Sequence, residues 1–236
     1  MYLGCGRNKA LLAVLLCMAI SLVVACGPKA RIPVSQMDTP EHHFFTGMKL
    51  VDQEKYADAQ REFELALQLD ARYSRAHTGI GLVQMYLTPP DFNAAWDSLQ
   101  KGAKFAKADD EQLLNKVSRI RYYTQKKEKK WLAYAKDQFD EAVRIDPKHP
   151  AAYYFMGLAY KYGQDFNAAG LMFARVLELK GDYAAKADSE WNFIQKVQRA
   201  MPGTATGRQI ALVESINRAD AAALFMEELK IDVLYK

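Results

Sequence analysis

"FNAAGLMFARVLELKG", residues 166–181, decides how this chain folds. Ala169 is followed by Phe173 four residues on and by Val176 three further on, and offsets of four and three put all three on one face of a helix. The same order recurs in three earlier stretches. "YADAQREFELALQLDA" (56–71) carries Ala59, Phe63 and Ala66, "FNAAWDSLQKGAKFAK" (92–107) carries Ala95, Leu99 and Gly102, and "WLAYAKDQFDEAVRIDP" (131–147) carries Ala135, Phe139 and Ala142. Self-similarity at about 34 residues takes precedence over any single-domain interpretation, because each unit then needs its neighbours to bury its apolar face.

The stretches between these helices share a second feature. Gly47, Gly81 and Gly157 lie 12, 14 and 12 residues before the respective alanines, where a residue without a side chain lets two antiparallel helices approach closely. Pro89 and Pro90 account for the two extra residues of the second unit by lengthening its turn. These positions resemble the tetratricopeptide repeat, with Tyr153, Gly157, Tyr160, Ala169 and Phe173 making the fourth unit the nearest copy and Pro147 closing the third. The resemblance covers about residues 40 to 183.

It implies an all-α fold, a right-handed solenoid of antiparallel helix pairs with about 3.5 to 4 repeats, over residues 40–201 once a closing helix is included. The third unit departs from the pattern: its alanine follows the previous one by 40 residues, and Tyr123 stands where the glycine is expected, which predicts a longer or displaced first helix. In 183–201, Trp191, Phe193, Ile194 and Val197 keep helical spacing and fit a helix that closes the array before Met201-Pro202-Gly203. Such solenoids work through the concave face made by the first helix of each pair. The resemblance places Phe44 and Met48 of unit one, Arg75, Leu82 and Tyr86 of unit two, and Tyr154, Lys161 and Tyr162 of unit four on that face, where they would hold an extended peptide or a partner helix. Some of these aromatics would instead pack between helices.

The beginning of the sequence has a different character. Arg7 and Lys9 precede "ALLAVLLCMAISLVVA" (10–25), an uncharged run that reaches only ~24 Å as a helix against the ~30 Å of a hydrocarbon core. That favours a signal over a membrane span. "VVAC" at 23–26 resembles the lipobox of bacterial lipoproteins, which implies a signal peptide at 1–25, acylation of the Cys26 sulfur and a mature protein beginning there. Cys5 and Cys17 would leave with the signal, so no disulfide or cysteine metal site would remain. Gly27 rather than Asp after the cysteine implies, in that family, the outer membrane of a two-membrane cell envelope. Residues 26–39, in which Pro28 and Pro33 precede Pro40, read as a lipidated tether.

Chemistry is sparse in the rest. The 32 Lys and Arg against 28 Asp and Glu become 30 against 28 without Arg7 and Lys9, and so mild a balance gives no reason to expect nucleic acid. His42, His43, His77 and His149 have no metal-ligand spacing, no phosphate loop or nucleophile elbow occurs, and no enzyme or cofactor is expected. Glu62, Glu64, Asp137, Asp140 and Glu141 fall at positions expected to face solvent, and Lys126, Lys127, Lys129 and Lys130 read as a solvated helix end that could touch an anionic surface.

The tail, 202–236, forms a linker and a fresh helix in "SINRADAAALFMEELKI" (215–231). Its Asn217-Arg218-Ala219-Asp220 resembles the start of the second helix of an S-layer homology module, a resemblance that implies glycan contact by Arg218. Asn217 and Asp220 also form a capping box, which explains both residues by helix initiation alone. Two functions are therefore expected. The first is a lipid-anchored envelope scaffold binding a protein or peptide in its groove. The second is a surface-layer or cell-wall attachment protein binding envelope polysaccharide.

Overall fold

The computed structural model describes residues 30–200, 202–213 and 215–228, and every regular element among them is a helix. In order these are α1 (Pro40–Asp52), α2 (Tyr56–Leu69), α3 (Ser74–Gln84), α4 (Phe92–Phe105), α5 (Asp109–Lys126), α6 (Trp131–Ile145), α7 (Pro150–Tyr162), α8 (Phe166–Leu179), α9 (Ala184–Ala200), α10 (Ala205–Ile210) and α11 (Arg218–Glu227). The signal region and Cys26 lie outside the described residues.

Local chemistry starts these helices. The pentapeptide "DFNAA" occurs twice, and both times its aspartate caps a helix: Asp91 accepts from the Asn93 and Ala94 amides, Asp165 from the Ala168 amide. Thr39 does the same for the His42 amide, with Pro40 at the first helical position, where its missing N–H costs nothing. Glu111 in α5 reaches back to accept from the Lys107 and Ala108 amides.

Each pair is antiparallel, as the α3–α4 contacts show. Moving three residues back from Gly81 to Thr78 on α3 moves the contact three residues forward, from Leu99 to Gly102 on α4. The glycines sit where the repeat spacing puts them, each under the large residue of its unit. A Cβ on Gly47 would fall 2.5 Å from the Phe63 ring, one on Gly157 2.6 Å from the Phe173 ring, and one on Gly81 2.8 Å from the Ala95 carbonyl oxygen. The repeat alanines are fully buried, as are Phe63, Leu99 and Phe173.

Pairs join into a row in one way. Consecutive helices from α1 to α9 pack on each other, and α1 also packs on α3, α3 on α5, and α5 on α7. The first helices therefore line one continuous face. α9 buries Ala187, Ile194 and Val197 against α8 and ends the row.

The third pair differs as its irregular spacing predicts. α5 is the longest helix, with 18 residues, and continues past the crossing to Lys126. Tyr123 is not at the crossing; its ring lies 5.8 Å from Trp96 and 5.4 Å from Tyr134. The small buried residue in the middle of α5 is Ser118, whose hydroxyl donates to the Leu114 carbonyl at 2.8 Å. One turn earlier, Asn115 is almost fully buried and donates to Thr78 Oγ1 (3.0 Å) and the Leu99 carbonyl (2.8 Å), tying α5 to both helices of the second pair. Asn115→Leu leaves the buried Thr78 hydroxyl without this partner and strips the Leu99 carbonyl of its second bond, while that carbonyl keeps its place in the α4 ladder. It is expected to cost about 1–3 kcal/mol, read as a lowered midpoint in urea denaturation.

Candidate functional site

The face shared by the first helices carries the candidate site. On α5, Leu114, Val117, Ser118 and Arg121 recur at helical spacing and form one wall of a cavity of about 410 Å³. Across it stand Phe44, Phe45 and Met48 of α1, Arg75 and Leu82 of α3, Phe155 of α7, and Tyr183 from the turn before α9. Phe45 is 61% exposed, unusual for phenylalanine.

Arg121 is central. Its guanidinium lies 4.5 Å from the Phe155 ring centroid and 5.2 Å from that of Tyr86, and its Nε and Nη2 donate to the Tyr86 hydroxyl at 3.3 and 3.2 Å. Tyr86 is held in turn by stacking on Tyr56, with centroids 5.1 Å apart. Arg75, across the cavity, is already paired with Asp110 and lies over Phe44. Arg121 has no carboxylate partner among the described residues.

The residues expected on the concave face divide into two groups. Phe44, Met48, Arg75 and Leu82 do meet at the cavity, and Tyr86 joins it through Arg121. Phe44 and Leu82 are largely buried and give the cavity only an edge. Tyr154 is a packing residue, stacked on Tyr183 at 4.9 Å, and burial pushes its hydroxyl pKa up to about 12. Lys161 binds Glu190 of α9 at 2.6 Å and lies 4.6 Å from the Phe193 ring. Tyr162 is exposed beside it, with the Lys127 ammonium 4.6 Å from its ring. Lys161 and Tyr162 thus form a separate patch. Repeat spacing does not anticipate Arg121, Phe45, Phe155 or Tyr183.

Other singled-out residues have local roles. Lys126 of the basic run binds Glu128 and the Tyr122 hydroxyl. Asn217 accepts from the Ala219 and Asp220 amides while Asp220 accepts from the Asn217 amide at 2.9 Å, so the capping box forms, and Arg218 beside it is exposed. Among the described residues no three His, Cys, Asp or Glu side chains converge on a metal-sized site, and no helix is long and apolar enough to cross a membrane.

Part of the stretch read as a tether is tied to the repeats. Asp38 accepts two bonds from Arg31, one from the Val34 amide and one from His43 Nε2, while His43 Nδ1 meets Glu62 at 2.7 Å and the Arg31 amide donates to the Gln68 carbonyl. Glu62 is therefore more than a solvating carboxylate. Burial alone would discourage charge on His43, but Glu62 and Asp38 outweigh it and raise its pKa. The Arg31 guanidinium, followed by the Val34 amide and His43, holds Asp38 far below the usual carboxylate range.

The two shifts have opposite signs in pH. His43 contributes fully below about pH 6.5, its ordinary value, and its contribution disappears as pH rises through the raised one. Asp38 contributes above the ordinary carboxylate range and is lost only in strong acid. Hydrogen-exchange protection of the Arg31 and Val34 amides, corrected for intrinsic rates, is expected to fall as pH rises from the ordinary histidine value through the raised one. His43→Gln should flatten that dependence.

No protein-family model matches the sequence, and no curated protein matches it either.

Proposed function

We propose that this protein is a lipid-anchored scaffold of the bacterial cell envelope, built on tetratricopeptide-type repeats in a right-handed solenoid, that binds a segment of another envelope protein and so supports assembly of an envelope or surface complex. The observation that carries this reading is the first-helix face: a continuous row with an aromatic cavity, an exposed Phe45 and a cation that has no acidic partner among the described residues. Half-buried aromatics around an arginine, with an exposed phenylalanine lining the same cavity, are residue types that concentrate in protein interfaces. The repeat spacing of Ala59, Phe63 and Ala66, and of its three counterparts, supports the repeat type. The lipobox resemblance at 23–26 supports the anchor. A durable hold on the membrane needs two or more acyl groups, and a triacylated Cys26 supplies them.

Tyr86 and Tyr162 are the residues to change, since both keep exposed surface and neither fills the core. In an envelope pull-down, Tyr86→Ala combined with Phe45→Ala is expected to lose partners that wild type retains, while Tyr162→Ala tests whether the separate Lys161 patch contributes. A variant pair that folds and retains every partner overturns the groove. Metabolic labelling with a palmitate analogue tests the anchor independently, and Cys26→Ser must abolish the label.

A further inference from the structure

The state of Arg121 narrows what the groove can hold. A guanidinium half-enclosed by two aromatic rings has given up part of its hydration, and a neutral tyrosine hydroxyl returns little of it. Its Nη1 makes no hydrogen bond among the described residues. The two bonds to the Tyr86 oxygen use the Nε–Nη2 edge and leave the Nη1–Nη2 edge, through which arginine can receive a carboxylate by two parallel N–H donors. Arg75 cannot serve as a second receptor because Asp110 occupies it.

The surrounding charges limit the ligand further. Asp182 lines the cavity, and His149, which also lines it, is kept toward its neutral form by burial. Burial is the main cause that pushes the Tyr183 hydroxyl up; Arg121 opposes it, while Asp52 and Asp182 add to it, so both acids lie within electrostatic reach of this wall. Among the described residues Arg121 is the cavity guanidinium without an acidic partner, and Asp52 and Asp182 lie toward Tyr183. A run of acidic residues would meet repulsion at the Tyr183 end.

We propose that the groove takes a peptide segment with a single carboxylate flanked by apolar side chains, the carboxylate bound by the Arg121 guanidinium and the apolar groups by Phe45, Met48 and Phe155. This rests on the groove reading and adds the chemistry of the occupant. The carboxylate can belong to an Asp or Glu side chain or to the C-terminus of the bound segment; both present the same two oxygens.

The test uses the full-length protein in detergent micelles and a synthetic dodecapeptide library with free and amidated C-termini, with affinities measured by fluorescence anisotropy. Selected peptides are expected to carry one carboxylate between apolar residues. Replacing it with the amide should weaken binding to wild type about tenfold, the worth of a charge-assisted bond. The same replacement should make no difference to Arg121→Gln, and Arg121→Lys should keep part of the effect. Loss on C-terminal amidation assigns the group to a terminus; retention assigns it to a side chain. Selected peptides without a carboxylate, an amide penalty that persists in Arg121→Gln, or affinity that grows with each added acid would overturn the proposal. If such peptides still lose affinity with Tyr86→Ala, the groove stands and only its proposed chemistry fails. An absence of any selected peptide overturns the groove reading itself. The peptide-side replacement is made against wild type, so the test survives even if an Arg121 variant does not fold.

Discussion

Gly81→Val is expected to break the second helix pair. A Cβ at this position would lie 2.8 Å from the Ala95 carbonyl oxygen and 2.8 Å from Leu99 Cγ. Leu99 is fully buried and has nowhere to turn, and the carbonyl belongs to the backbone of α4, which can move only if the whole helix moves. Overpacking of a core costs about 1–3 kcal/mol for modest insertions, and valine adds two further methyl groups beyond the first clash, so about 3 kcal/mol or more is expected. That is a large share of the roughly 5–15 kcal/mol by which a folded domain exceeds its unfolded state. Far-ultraviolet circular dichroism during urea titration should show a much earlier transition, or a separate early phase, since repeat arrays can lose one unit before the rest. Gly170→Ala is the control. Its Cβ would meet Ile194 no closer than 3.4 Å, so the substitution should leave stability unchanged or raise it slightly.

Phe173→Ala should be comparably damaging for the opposite reason. The ring is fully buried, rests on Gly157 and lies 6.0 Å from the Tyr154 ring, so truncation opens a cavity in the α7, α8 and α9 core that rigid neighbours cannot fill. A loss of about 3–5 kcal/mol is expected, measured as the shift in denaturation midpoint. Phe139, the counterpart in the third pair, is only partly buried. Phe139→Ala should therefore cost distinctly less, although both residues occupy the same place in the repeat.

This contrast shows where sequence spacing is a faithful guide. Ala59, Phe63 and Ala66, and the equivalent triplets on α4 and α8, can be located because a residue at a helix crossing has almost no choice of size. The glycines follow from the same constraint, each of them under its partner's large side chain. In the third unit the link fails because α5 continues past its crossing. The extra length shifts the count, so Tyr123 falls where a small residue is expected while Ser118 occupies the middle of the helix.

The candidate site is harder to see for the same reason. Arg121 lies on the helix whose register is irregular, so no groove position carries onto it. A signal is present in the stripe Leu114, Val117, Ser118 and Arg121, but a stripe of three small or apolar residues and an arginine looks like any half-buried helix face. Tyr154 shows the reverse limit. Spacing puts it on the first-helix face, yet the stack with Tyr183, a residue 29 positions later that adopts a positive φ of 69°, covers it. No count within the repeats anticipates that turn. The tie of Asp38 to Arg31 and His43 is equally invisible in spacing, since it depends on residues 31–38 folding back onto α2.

Photo-crosslinking in the native envelope tests the groove most directly. A benzophenone-bearing phenylalanine replaces Phe45, which is exposed at the cavity wall, and in a second strain replaces Leu171, 69% exposed on α8 away from the first-helix face. A discrete crosslinked product is expected from position 45, absent from position 171 and diminished by Arg121→Gln or by the selected single-carboxylate peptide. Equal products from the two positions, or none from position 45, would contradict the groove reading.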